Sequence, residues 1–246
     1  MGISNPTTYL ADRLAALRKA QNPDGGWAYY AGKNSWLEPT VYAALALDGQ
    51  PEADRAWILI QGWQLPSGGW RPSAEVAGLN WTTALAVVLA AKLGQRSAAE
   101  KGLEWLDNNK VEGAWPWRRA SLPAAEPTAL ALLALRHAGE PVAKRAQEFL
   151  LEERLSPETC GPALLGLQGT AETQTLAPLA VRWAEETPSA LTRAWIHLGL
   201  HASGWPVAEP LAAPVPRNFA LTALQALAHP SGNHHLLRVT GMENKA

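Results

Sequence analysis

A short apolar segment rich in Ala and Leu recurs along this chain, and that repetition limits the fold more than any other feature of the sequence. Copies ending in Leu-Ala-Leu, Leu-Gly-Leu or close variants occupy residues 40–47, 82–89, 128–135, 160–167, 193–200 and 220–227. Each is apolar on nearly every side, as expected of a helix surrounded by other helices. Ahead of the first five lie the stretches 9–20, 54–64, 98–108, 142–153 and 176–186, which carry Arg, Lys and Glu at helical spacing beside Leu, Ile and Trp. These read as outer helices with one wet face. The corresponding stretch before the sixth copy, within 207–215, is interrupted by Pro206, Pro210, Pro214 and Pro216, so a helix there is doubtful.

Repeated pairs of this kind cannot bury their apolar faces alone, and alternating inner and outer helices close most simply into a ring. The expected architecture is all-α: an α/α toroid of six helical hairpins in one domain, residues 1–228, followed by a polar tail, 229–246. The first three hairpins have long loops with turn chemistry. Two run from Gln21 to Gly25-Gly26-Trp27 and from Gln64 to Gly68-Gly69-Trp70, and the third ends in Gly113-Ala114-Trp115. Pro and Gly make the turn, and the Trp is expected to pin it to neighbouring helices.

Lys plus Arg number 21 against 22 Asp plus Glu, so the chain lacks the basic footprint of a nucleic-acid-binding protein. The lone Cys160 excludes an internal disulfide framework and fits a reducing compartment. Residues 1–8 contain no signal-peptide pattern, and apolar runs such as 84–93 are too short to span a bilayer. The expected location is the cytoplasm, with no transmembrane segment and no nucleic-acid partner.

The Gln-to-Trp loops joined to Thr-Ala-Leu-Ala-Leu-Leu-Ala-Leu helices resemble those of prenyltransferase β subunits and squalene or oxidosqualene cyclases. The resemblance is specific over residues 9–137 and stays in phase over 141–228. It implies an α-α barrel with a deep apolar cavity, whose mouth is formed by the N-terminal ends of the inner helices and whose usual occupant is an isoprenoid. In class II cyclases an Asp-x-Asp-Asp motif precedes Thr-Ala, and its central Asp falls in the register of Glu126. The flanking positions here are Ala124 and Pro127, so that motif is absent.

Three acids, Glu38, Glu126 and Glu158, each stand two residues before the aligned Thr40, Thr128 and Cys160, with Asn80 and Asn218 in the matching places of repeats two and six. A closed ring is expected to gather them at one end, where apolar walls raise a carboxyl pKa and fit it for general acid catalysis. The same glutamates equally suit helix starts, where negative charge complements the dipole. A second candidate comes from the prenyltransferase zinc set: Glu158-Thr159-Cys160 approximates its Asp-x-Cys pair, with His197 or His201 as the remaining ligand. Trp36, Trp81, Trp117 and Trp195 lie near inner-helix starts, where aromatic faces can stabilise a carbocation. Arg118, Arg119 and Arg193 are candidates for meeting a diphosphate at the mouth. Two functions remain open: a terpene cyclase or prenyltransferase-like toroid holding an isoprenoid or similar apolar molecule, and a non-catalytic toroid that binds a ligand or protein partner at its mouth.

Overall fold

The computed structural model describes residues 6–76, 78, 81–118, 121–141, 143–153, 155–208, 210 and 213–239. Among these it is all-helical. In chain order the α-helices are α1 (Pro6–Ala20), α2 (Leu37–Ala46), α3 (Pro51–Gly62), α4 (Thr82–Lys92), α5 (Arg96–Asn108), α6 (Ala125–His137), α7 (Lys144–Glu152), α8 (Pro157–Gly166), α9 (Ala171–Glu186), α10 (Ala190–Ala202) and α11 (Phe219–Leu227). A 3-10 helix, Asn233–Leu237, follows. No helix among the described residues is long and apolar enough to cross a membrane.

The inner ring runs α2, α4, α6, α8, α10, α11 and closes where α11 packs on α2. Its helices bury most of their length because most of their side chains are apolar; in α6 every residue from Pro127 to Ala134 is buried. The outer helices bury one stripe only. In α3 the buried residues are Ala53, Ala56, Trp57 and Ile60, and in α5 Ala99, Gly102, Leu103 and Leu106, the i, i+3, i+4, i+7 spacing of a single helical face. These contacts confirm the α/α toroid.

Closure depends on α1, which packs on α11 at the far end of the chain. Arg13 of α1 is 1% exposed, yet its guanidinium is held by Gln225 (2.8 Å), the Tyr9 carbonyl (3.0 Å) and the carbonyls of Ala213 and Pro214, and it lies 3.2 Å over the Tyr9 ring. Among the described residues the outer ring then has five helices. Between α10 and α11, where a sixth would stand, the described residues of the proline-rich stretch form an irregular strap.

The ring axis is packed. The void lined by Tyr42, Leu45, Val88, Leu133, Trp195 and Leu237 has a volume of about 10 Å³, too small for anything beyond one water. The deep central cavity expected from the resemblance is therefore corrected at this level, and three glycines explain why. A Cβ on Gly161 of α8 would lie 2.3 Å from the Trp195 carbonyl carbon of α10, one on Gly199 would lie 2.5 Å from the Gly161 oxygen, and one on Gly166 would lie 2.9 Å from Ala129 Cα of α6. Backbones this close draw the ring inward.

The opposite end is stoppered by residues 229–239. Asn233 donates to the carbonyls of Leu45 and Ala46 at the end of α2, Gln168 donates to Leu237 O (2.8 Å) and accepts from Val239 N (3.1 Å), and Leu237 is buried. His234 stacks on His201 at 4.7 Å. Burial, and then the charge of neighbouring His234, holds His201 near pKa 4; burial, and then Lys92, does the same for His137. Between about pH 4 and the free histidine value near 6.5 the unfolded chain binds protons that these folded histidines refuse, so their contribution is full above 6.5 and lost toward 4. Denaturant unfolding at pH 4.5 and pH 7 is expected to show this loss, and the double variant His137→Leu, His201→Leu is expected to show a smaller one.

Candidate functional site at the N-terminal mouth of the ring

The mouth is built by one hydrogen-bond device used three times. The Trp27, Trp70 and Trp115 indole N–H groups donate to Leu17 O (2.8 Å), Ile60 O (2.9 Å) and Leu106 O (2.8 Å) of the preceding outer helices. Their backbone N–H groups donate to the hydroxyls of Thr40 (2.9 Å), Thr83 (3.1 Å) and Thr128 (3.0 Å), each 13 residues later. Gln21 and Gln64 each bridge two carbonyls, one in their own loop and one at the start of the next outer helix. This ties loop, outer helix and inner helix into one unit and fixes the depth at which each inner helix begins. Replacing Thr83 by Val strands the buried Trp70 N–H and is expected to cost about 1–3 kcal/mol, read from the denaturant midpoint.

The device also corrects the alignment of repeat two. Its threonine is Thr83, so the place matching Glu38 and Glu126 belongs to Trp81 and not Asn80. Asn80 and Arg119 lie outside the described residues. On α11, Thr222 donates to the Asn218 carbonyl (3.0 Å) as Thr40 does to that of Trp36 (2.6 Å), so Asn218 matches Trp36. Its side chain caps α11 by accepting from Leu221 N (3.1 Å).

Glu38 and Glu126 do come together electrostatically. Burial, then the charge of Glu38, raises the Glu126 carboxyl to about 7. Burial also raises Glu38, whose Oε2 accepts from the Tyr29 hydroxyl. Tyr42, one turn below Glu38 on α2, is 2% exposed; its hydroxyl has no hydrogen-bond partner, and its ring meets Trp195 edge-on at 5.6 Å. Burial pushes the Tyr42 phenol up, and the charges of Glu38 and Glu126 reinforce this. Two coupled acids, a phenol bonded to one of them and a second phenol below therefore share a poorly hydrated mouth. Tyr29 and Tyr42 were not among the residues singled out from the sequence, although Tyr42 sits at i+4 from Glu38, the spacing of one helix face.

The third acid does not join them. Glu158 is exposed at the start of α8 and bonds the Ser156 side chain, which lowers its pKa. The zinc set is also dispersed. Cys160 is fully buried among Ala163, Ile196 and Leu200, which pushes its thiol up to about 12, and a neutral thiol is a poor ligand. His201 sits with His234 in the stopper, while His197 lines a lateral cleft. Among the described residues no three metal-ligating side chains gather.

The aromatic candidates divide. Trp36 packs near Tyr29, with ring centroids 6.0 Å apart, and both line an open cleft of about 530 Å³ beside the Glu38 carboxyl's partner. Trp81 meets Trp117 edge-on at 5.1 Å, with Trp117 partly exposed. Trp195 is buried under the mouth. Arg118 is exposed, beside a void of about 20 Å³ under Trp81 and Trp115. Arg193 donates to the carbonyls of Ala184 (3.0 Å) and Thr187, so it ties α10 to the end of α9.

No family model matches the chain, and no curated protein matches it. Solved structures do. A protein from Actinoplanes is similar at 21% identity and a TM-score of 0.62, over 82% of this chain and 76% of that one. The apo type II terpene cyclase MstE from Scytonema is similar at 18% identity and a TM-score of 0.62, over 80% and 73%. A variant of that enzyme in complex with geranylgeranyl dihydroxybenzoate, its substrate, is similar at 15% identity and a TM-score of 0.64, over 95% and 97%. At these identities what is shared is the fold, and the chain has the α/α toroid of type II terpene cyclases.

Proposed function

We propose that this chain is a terpene cyclase-like toroid that takes an isoprenoid or similarly apolar molecule at the N-terminal mouth of its inner ring, with Glu126 as proton donor. The observation carrying this reading is the raised pKa of Glu126 beside Glu38, in the register of the cyclase acid. A carboxyl with a pKa of about 7 keeps much of its proton at neutral pH. It is too weak for an unactivated alkene and better suited to an epoxide or carbonyl oxygen, where the developing charge is easier to meet. Burial keeps the proton on Glu126, and the neighbouring Glu38, bonded by Tyr29, adds to the effect. The cleft that Trp36 and Tyr29 line offers the ligand an aromatic wall. The likeness to a terpene cyclase seen with a geranylgeranyl substrate supports the ligand class.

The test is turnover of prenyl epoxides of increasing length by the purified chain. Glu126→Gln is expected to reduce the rate by roughly 100-fold or more while leaving binding within a few-fold. Equal turnover by the variant contradicts the proposal. The packed axis favours a second reading, a non-catalytic toroid that holds its ligand or partner at the mouth; saturable binding with no turnover by either protein selects it.

A further inference from the structure

Where the described residues form no sixth outer helix, a cleft of about 640 Å³ lies between α9, α10 and α11, with the described residues of the strap on its outer side. That volume is within the range of roughly 300–1,000 Å³ found for small-molecule sites. Its walls are mostly apolar, with Val181, Ala184, Ala194, Leu200 and Val207 among them, whereas solvent-exposed seams between helices are normally lined by charged residues. Two guanidinium groups flank it. Arg193 lies in its wall, and Arg13 is bonded to Gln225 and Ala213, which also line it. Neither arginine has a carboxylate within ion-pair distance among the described residues; both are held by carbonyl and amide oxygens. The acid in the lining, Glu185, is solvent-exposed at the rim. His197 stands one turn beyond Arg193 on the same face of α10 and is kept neutral by burial and by that arginine, so its ring retains an N–H donor.

An apolar cleft with one guanidinium and a neutral imidazole side by side in its wall, and a second guanidinium behind Gln225, calls for an amphiphile with one negative charge. We propose that this cleft binds an apolar carboxylate, its chain against Val181, Ala194 and Val207 and its carboxylate between Arg193 and His197. The site is separate from the mouth, and no step of the proton chemistry above depends on it.

Calorimetric titration of the full chain with dodecanoate, dodecanol and dodecyltrimethylammonium, each below its micelle concentration, tests the assignment. Dodecanoate is expected to bind at least tenfold more tightly than dodecanol, with the ammonium weakest. Ala190→Trp and Val207→Trp, which fill the cleft from opposite walls, are each expected to weaken dodecanoate at least tenfold, and His197→Leu severalfold, with the thermal midpoints unchanged for the variant scored. Trp36→Ala at the mouth is expected to leave dodecanoate binding unchanged. Equal affinity for acid and alcohol, preference for the ammonium, no saturable binding, or affinity lost through Trp36→Ala and not through the two filling variants overturns the proposal.

Discussion

Gly161→Val is expected to lower the unfolding free energy by about 3 kcal/mol or more, because overpacking has its greatest cost where the neighbour cannot move aside. The obstruction here is backbone: the Trp195 carbonyl carbon and oxygen at 2.3 and 2.4 Å, and Ile196 N at 2.7 Å, from any Cβ at this position. Relief would require α8 and α10 to separate, which would also open the ring axis and unseat Trp195 from Tyr42. Gly62 provides the control. It lies in α3 with nothing within 4 Å of an added Cβ, so Gly62→Ala is expected to stabilise by roughly 0.5–1 kcal/mol through lower backbone entropy in the unfolded chain. Denaturant unfolding of both variants measures the difference. Equal small effects would mean that close helix approach is not what packs the axis.

The second large effect concerns pH. Folded Glu126 titrates near 7 against a reference of 4.5, so folding favours its protonated form. Its contribution is complete below the unfolded value and is lost as pH rises through 7, because the folded chain then holds a proton the unfolded chain has released. Gln, a neutral near-isostere, removes the effect. Glu126→Gln is therefore expected to match the parent near pH 4 and exceed its stability at pH 8.5 by about 3 kcal/mol, the order of two to three pKa units at about 1.4 kcal/mol each. The histidine contribution runs in the opposite direction over pH 4 to 6.5, so the comparison belongs within pairs measured at one pH. A variant no more stable than the parent at pH 8.5 would place Glu126 in water.

The inner octads made the ring legible because an α-helix without a wet face needs other helices on every side. The Trp loops were legible as anchors for a similar reason, since a buried indole must place its N–H. The site was legible only where local register carried it. Glu38 and Glu126 lie before threonines bound by the same loop device, so spacing placed them together. Repeat two has adjacent Thr82 and Thr83; alignment on the apolar helix ending selects Thr82, whereas the 13-residue distance from the loop Trp, shared by repeats one and three, selects Thr83. Glu158 looked equivalent from its offset to Cys160, but α8 begins with a Ser156–Thr159 capping box in place of a Trp loop, and its acid turns to solvent. The packed axis was not legible, because Gly161, Gly166 and Gly199 reveal their purpose only against the partner backbone. The lateral cleft was visible only as a run of prolines that fails to make a helix.

A carboxyl titration of the parent and of Glu38→Gln, with Glu126 assigned by its loss in Glu126→Gln, tests the central claim directly. The account predicts a Glu126 midpoint near 7 in the parent and a clear downward shift when the Glu38 charge is removed. A midpoint near 4.5 that does not respond to Glu38→Gln would contradict it.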